Sequence, residues 1–156
     1  MTPPREPEVL ATQLAAPRDA EIAALYQYWD TLRRGRSMPS REDFDPTQVP
    51  KLLRYIVLYN VVEPGSYTVR LIGEDVQDFI GRNTAGSPAA STMPPEAARL
   101  MVALLDSVVT ERAPKFRTGS AYWQPDKDFR NFESCFMPLS SDGNDVNIIL
   151  GAVKII

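Results

Sequence analysis

Apolar residues recur at helical spacing in two stretches of the chain. In the first stretch, residues 19–34, one stripe is formed by Ile22, Leu25, Tyr26, Trp29 and Leu32. Acidic residues open this stretch, arginines close it, and Gly35 follows as a stop signal, all of which favours a helix. The second stretch, residues 96–112, has a similar apolar face and stops before Pro114. The pattern therefore predicts two amphipathic helices.

Five other stretches are rich in β-branched and aromatic residues and are bounded by turn signals. These predicted strands are residues 52–62, 67–72, 115–123, 129–139 and 146–155. No helix of crossover length separates the strands within each hairpin, so a doubly wound parallel sheet is excluded. We predict an α+β fold with one antiparallel sheet, helices inserted between its second and third strands, and an N-terminal amphipathic helix.

Three segments describe the organisation of the 156-residue chain. Residues 1–17 are rich in proline and are expected to be a flexible tail, since they offer little apolar surface to bury. Residues 18–36 hold the N-terminal helix, and residues 37–156 form the core. No apolar run is long enough for a signal sequence or a membrane span. With a single cysteine, the chain is expected in a reducing cytoplasm.

Four stretches together resemble the PAS domain, in particular a bacterial PAS-like family common in alphaproteobacteria. They are RGRSMPSREDFDP at 34–46, the predicted strand pair at 52–76, FIGRNTAGS at 79–87, and the C-terminal run at 132–154. The resemblance implies a five-stranded antiparallel sheet, in the spatial order 2-1-5-4-3, around a small cavity. It also implies a stand-alone sensor, or the sensor half of a longer protein.

The composition excludes several kinds of chemistry. The chain has no histidine, which excludes a histidine nucleophile pair, a phospho-accepting histidine and histidine-ligated haem. The lone Cys135 excludes a disulfide or an all-cysteine metal site. In light-sensing flavin relatives a cysteine follows a Gly-Arg-Asn turn, but here Thr84 follows Asn83, so a cysteinyl-flavin adduct is excluded. The cofactor therefore stays unknown, and a net charge of −3 predicts no binding to nucleic acid or membrane.

The resemblance also directs where a small molecule would bind. The expected ligand pocket comprises Tyr59, Leu71, Phe79, Leu104, Phe116, Tyr122, Phe132, Ser134, Phe136 and Ile149. Strand alternation puts Phe132, Ser134 and Phe136 on one face and Glu133, Cys135 and Met137 on the other, without deciding which face is inward. The stripe on the first helix, from Ile22 to Leu32, packs on its own sheet or forms a homodimer interface. We expect the homodimer.

The function expected from these features is a non-catalytic sensor or regulatory module in bacterial signalling that binds a small molecule, a signalling protein, or both. One alternative is a ligand-free scaffold that docks a partner through the dimer surface or through the arginine-rich segment 33–41. Another is a small enzyme that uses Glu133 as a base inside the cavity. Cys135 is expected to be a buried structural residue, and Asp142 and Asp145 are expected to stabilise a turn.

Overall fold

In the computed structural model, which describes residues 11–120 and 131–156, six antiparallel strands form one sheet. The strands are β1 (Ala11–Leu14), β2 (Ile56–Glu63), β3 (Ser66–Ile72), β4 (Lys115–Ser120), β5 (Asn131–Leu139) and β6 (Ile148–Ile155). Their spatial order is β1-β4-β5-β6-β2-β3. Five of them match the predicted stretches to within one residue at the β2–β3 turn, and they keep the predicted order 2-1-5-4-3. The α+β fold with one antiparallel sheet is thus confirmed.

The sixth strand, β1, corrects two expectations about the N-terminal segment. Its four residues pair with β4, from Ala11 opposite Gly119 to Leu14 opposite Phe116. Leu14 is buried, so this short segment contributes apolar surface as well as backbone hydrogen bonds. The sheet therefore has six strands rather than five, and residues 11–14 are part of the fold rather than a flexible tail. Residues 1–10 lie outside the described residues.

Three α-helices accompany the sheet: α1 (Ala20–Arg33), α2 (Glu74–Ile80) and α3 (Pro95–Glu111). The predicted signals of α1 are confirmed, because the Asp19 carboxylate accepts the backbone N–H groups of Glu21 and Ile22 at 2.9 and 3.1 Å. At the other end, Arg34 and Gly35 take left-handed φ values of +52° and +79° and terminate the helix.

The sheet separates two apolar clusters. Helix α1 covers the outer face, where its stripe packs against the sheet residues Phe116, Met137 and Leu150. Helices α2 and α3 cover the inner face, where Tyr59 and Phe136 lie in the cluster that also contains Val76, Met101 and Leu105. Side chains of β5 alternate between the two clusters as predicted, and the structure assigns Phe136 to the inner face and Cys135 and Met137 to the outer face.

Polar contacts tie α1 to the sheet at both of its ends. Glu133 on β5 is 2% exposed, and its carboxylate accepts the backbone N–H groups of Arg18 and Asp19 at 3.0 and 2.8 Å. Lys154 on β6 binds the Asp19 carboxylate at 2.8 Å. Near the other end, the indole N–H of Trp29 donates to the carbonyl of Pro138 at 2.9 Å. These contacts fix both the position and the direction of α1 on the outer face.

Replacing Glu133 with alanine tests the first of these contacts. Glu133→Ala leaves two N–H groups without their acceptor, so we expect the free energy of unfolding to fall by about 2–4 kcal/mol. Glu63→Ala is the matched control, because Glu63 is exposed on β2, and it should change the value by less than about 0.5 kcal/mol. Urea denaturation measures both. Equal midpoints for the two variants would contradict this role of Glu133.

Candidate functional site

A small cavity lies on the inner face, between the sheet and helices α2 and α3. Its volume is about 30 Å³, more than the roughly 10–15 Å³ that is needed to hold one water molecule. The lining residues are Tyr59, Val76, Phe79, Ile80, Met93, Met101, Arg117, Phe132, Ser134 and Val153. Seven of the ten are apolar, and the three polar ones all come from the strands. A mostly apolar hollow with a few polar groups is typical of a ligand site.

Strand register brings the polar lining residues together. Arg117 on β4 lies directly opposite Ser134 on β5, which in turn lies opposite Val153 on β6. These three neighbours form one row across the sheet beneath the cavity. Directly opposite residues on adjacent strands have Cβ atoms about 4.5–5.5 Å apart. The guanidinium of Arg117 and the hydroxyl of Ser134 are therefore held on adjacent strands at the same level of the sheet.

Arg117 lacks a counter-charge within the part of the chain that the structure describes. Its Nε atom is shielded from solvent and has no hydrogen-bond partner there. The guanidinium carbon lies 5.7 Å from the centre of the Phe132 ring, which supplies a cation–π contact but no acceptor oxygen. Burial lowers the pKa of Arg117 to about 10. The side chain therefore still carries its positive charge at neutral pH.

Two further polar groups line the same cavity. Ser134 is 1% exposed, and among the described residues its hydroxyl has no partner. Tyr59 is also buried, and this burial raises the pKa of its phenol to about 12. The tyrosine is therefore neutral and able to donate a hydrogen bond at neutral pH. Buried polar atoms normally have hydrogen-bond partners in folded proteins, so it is unusual that Nε of Arg117 and the Ser134 hydroxyl both lack one at the same cavity.

Gly151 on β6 provides room for the aromatic wall beside the cavity. A Cβ atom at this position would lie 2.6 Å from two atoms of the Phe136 ring. The ring occupies that space and also contacts Tyr59, with 6.3 Å between the ring centres. A side chain at position 151 would therefore have to displace Phe136. This close approach explains why glycine stands in the middle of a buried strand.

The structure places seven of the expected pocket residues at or around the cavity. Tyr59, Phe79, Phe132 and Ser134 line it, and Leu104, Phe136 and Ile149 pack in the surrounding inner cluster. Sequence reasoning missed Arg117 because a charged residue in a strand is normally assigned to the solvent face. Val153 and Met101 were missed because apolar periodicity marks a core but does not show where that core leaves a hollow.

Three expected pocket residues are not part of the cavity. Leu71 is 41% exposed, because the pairing register shifts between Leu58 and Tyr59. This β-bulge leaves Arg70 unpaired and places Leu71 opposite Leu58, whose side chain belongs to the outer face. Phe116 belongs to the outer cluster, where its ring packs edge-on against Tyr26 at 5.0 Å between centres. Tyr122 lies outside the described residues.

The expected dimer interface is largely covered by the chain itself. Ile22, Leu25, Trp29 and Leu32 are each at most 8% exposed and pack against the outer face of the sheet. Tyr26 is partly buried in the same cluster. The stripe thus takes the first of its two expected roles, packing on its own sheet, and a homodimer interface through these residues stays a prediction. Its side chains cover the apolar outer face of the sheet in the same molecule.

The hypothesis of a catalytic base also loses its residue. Glu133 is buried, but on the outer face, where it accepts the backbone N–H groups at the start of α1. The cavity is lined by its neighbour Ser134 instead. Cys135 is fully buried, and burial raises the pKa of its thiol to about 12, which makes it unreactive at neutral pH.

Arginines of the 33–41 segment are engaged in local contacts. Arg33 pairs with Asp30, and Arg36 binds Asp43 at 2.7 Å. Arg41 donates from Nη1 to the carbonyl of Phe44 at 3.0 Å. These contacts compensate charge within the fold for three of the arginines, whereas Arg34 is exposed and a docking role of the segment stays a prediction.

The Asp142 turn and the other acidic residues give no indication of a metal site. Asp142 accepts the N–H groups of Asn144 and Asp145 at 2.9 and 2.8 Å, as a turn-forming aspartate does. Within residues 11–120 and 131–156, no three acidic or cysteine side chains form a cluster suited to a metal ion. Asp145 contributes to the same turn through its backbone.

The Gly151 contact yields a prediction about packing. Gly151→Ala should lower the free energy of unfolding by about 1–3 kcal/mol, because the new methyl group displaces the Phe136 ring. Adding Phe136→Leu should recover part of this loss, since the smaller side chain leaves room for the methyl group. A double-mutant cycle in urea measures the coupling. Simple additivity of the two substitutions would contradict the proposed contact.

Comparisons with known proteins agree with this architecture. The sequence matches the PAS domain family over residues 18–154. The structure is similar to the PAS domain of BvgS from Bordetella pertussis, with 18% identity and a TM-score of 0.55, over 70% of this chain and 82% of that one. A PAS domain from Colwellia psychrerythraea matches with 15% identity and a TM-score of 0.48, over 70% of this chain and 95% of that one. No curated protein matches the sequence.

The described helices are also too short or too polar to cross a membrane.

The family match covers nearly the whole sheet and all three helices, including the strands that line the cavity. The cavity occupies the inner face of the sheet, where the resemblance in sequence implied a small hollow. The chain therefore belongs to the PAS domain family.

Proposed function

We propose that this protein is a non-catalytic sensor module of bacterial signalling that binds a small molecule in the inner-face cavity. PAS domains generally act as signalling sensor modules. The observation that carries the proposal is the cavity itself, where an apolar wall surrounds two polar atoms, Nε of Arg117 and the hydroxyl of Ser134, that lack hydrogen-bond partners among the described residues. A bound molecule would supply those partners. The buried thiol of the single Cys135 is consistent with work in a reducing cytoplasm.

Occupation of the cavity would act on the packing of α3 against the sheet. Met101 of α3 lines the cavity. Closer to the end of the helix, Asp106 accepts a hydrogen bond from the hydroxyl of Tyr67 on β3. A molecule that enters beside Met101 therefore competes with the contacts that hold α3 in place. Couplings between a ligand site and a distant surface are typically about 1–3 kcal/mol, enough to shift such a helix between two positions.

A protein partner or a second copy of the chain could also use a surface other than the α1 stripe. Within the described residues, the large exposed apolar side chains include Val62 at the end of β2 and Leu71 on β3. Both belong to the hairpin at one edge of the sheet. We propose this hairpin edge as the surface through which signalling partners or a homodimer would contact the module.

Filling the cavity tests the sensor proposal. Val153→Phe adds an aromatic ring at a cavity-lining position, and Ile156→Phe adds the same ring at a position that is 57% exposed. We expect small molecules that raise the melting temperature of the unmodified protein to act on Ile156→Phe as well, but not on Val153→Phe. Thermal-shift screening with bacterial metabolites and native mass spectrometry supply the measurement.

The proposal fails if no metabolite raises the melting temperature and no small molecule accompanies the purified protein. It also fails if Val153→Phe and Ile156→Phe respond equally, because the ligand would then bind elsewhere. Native mass spectrometry reports the assembly state in the same experiment, which tests the homodimer.

A further inference from the structure

The guanidinium of Arg117, whose Nε–H has no acceptor among the described residues, is the feature of the cavity that most restricts its occupant. An arginine keeps its proton at physiological pH, so the partly buried side chain of Arg117 places a positive charge beside the cavity. Within the described ranges, no carboxylate forms an ion pair with Arg117, and its Nε–H has no acceptor. A water molecule could accept that hydrogen bond but would leave the charge uncompensated. An anionic group would satisfy both requirements.

Ser134 supplies a second donor at the same place. Its hydroxyl is buried and unpartnered among the described residues, and it stands opposite Arg117 across the β4–β5 pair. The two oxygens of a carboxylate lie in one plane and can accept hydrogen bonds from two adjacent donors. The neutral hydroxyl of Tyr59 lines the same cavity as a further polar group. The polar side of the cavity therefore matches the head of a small carboxylic acid in its ionised form.

The other walls restrict what the carboxylate can be attached to. Val76, Ile80, Met101 and Val153 offer only apolar atoms to the occupant. Apart from Tyr59, Arg117 and Ser134, the lining residues bring no polar side chain that could bind a second charge or several hydroxyl groups. A phosphate or a dicarboxylate would bring charge without matching donors. A short aliphatic chain would instead gain from burial against these side chains.

The volume of about 30 Å³ requires that the occupant be small. Met93 and Met101 line the cavity, and their unbranched, flexible side chains adapt to irregular shapes at low cost. Their movement would give space to an aliphatic chain without moving the backbone. The donors on the strands, in contrast, are held by the sheet.

We propose that the cavity takes a short aliphatic carboxylate, whose head accepts hydrogen bonds from Arg117 and Ser134 while its chain packs against Met101 and Val153. The inference rests on the proposed function and names the ligand class of that site. It also assigns Arg117 as the residue that selects an anion over a neutral molecule of the same shape.

Titration of the full chain with butyrate, butyramide and butanol tests this charge selection. The three probes are similar in size, and only butyrate is an anion at neutral pH. We expect butyrate to raise the melting temperature and to shift the NMR resonance of the Arg117 Nε–H, whereas butyramide and butanol do neither. Sodium chloride and inorganic phosphate at the same ionic strength are the controls for a general salt effect.

Two substitutions locate the effect. Arg117→Met keeps an unbranched apolar stem and removes the guanidinium, so we expect butyrate to bind at least about tenfold more weakly. Arg70→Met is the matched control, since Arg70 is exposed on β3, and it should bind butyrate unchanged.

The possible outcomes separate the ligand class from the sensor function. If butyramide or butanol binds as tightly as butyrate, the carboxylate assignment is overturned and a small-molecule sensor remains. If chloride or phosphate shifts the Arg117 resonance and butyrate does not, the cavity is an inorganic anion site and the assignment is again overturned. If neither the three probes nor a metabolite panel binds, both proposals fail. Should Arg117→Met not fold, a loss of butyrate affinity in Ser134→Ala supports the assignment, and unchanged affinity overturns it.

Discussion

The alternation of side chains along β5 is the constraint on which the two halves of this structure depend. β5 pairs with β4 on one side and β6 on the other, so every second side chain is committed to the same face. Glu133 and Met137 serve the outer face that α1 covers, while Ser134 and Phe136 serve the inner face with the cavity. A slip of one residue would exchange these roles completely. The register of one strand therefore sets both the anchoring of α1 and the chemistry of the cavity.

Sequence patterns were sufficient for the elements and for most of their arrangement. Both long helices, five strands and the order of those strands follow from periodicity, turn signals and a family resemblance. β1 was not predictable in the same way, because four residues carry no usable period and their partner strand lies about a hundred residues further along the chain. Leu71 shows a second limit, since a single unpaired residue, Arg70, reverses the alternation on which its assignment depended.

The α1 stripe shows why an amphipathic pattern alone does not identify an interface. Ile22 and Trp29 have the spacing of any helix that buries one face, whether the surface beneath belongs to the same chain or to a partner. The information that decides between them is elsewhere, in the Glu133 carboxylate and the Pro138 carbonyl that receive hydrogen bonds from this helical segment. Both acceptors are more than a hundred residues away in sequence. Tertiary hydrogen bonds of this kind leave no periodic signal.

Arg117 and Ser134 illustrate the opposite case, in which residue types that suit the protein surface occur at a buried site. Each is ordinary in a strand, and their cross-strand pairing alone makes them a potential binding pair.

The position of Ser134 has one more consequence, because it is joined by a rigid peptide unit to Glu133. A movement of Ser134 by a few tenths of an ångström would be transferred through the backbone to the carboxylate that holds the start of α1 on the opposite face. The backbone of β5 thereby connects the cavity on one face of the sheet directly with the contact that holds α1 on the other face.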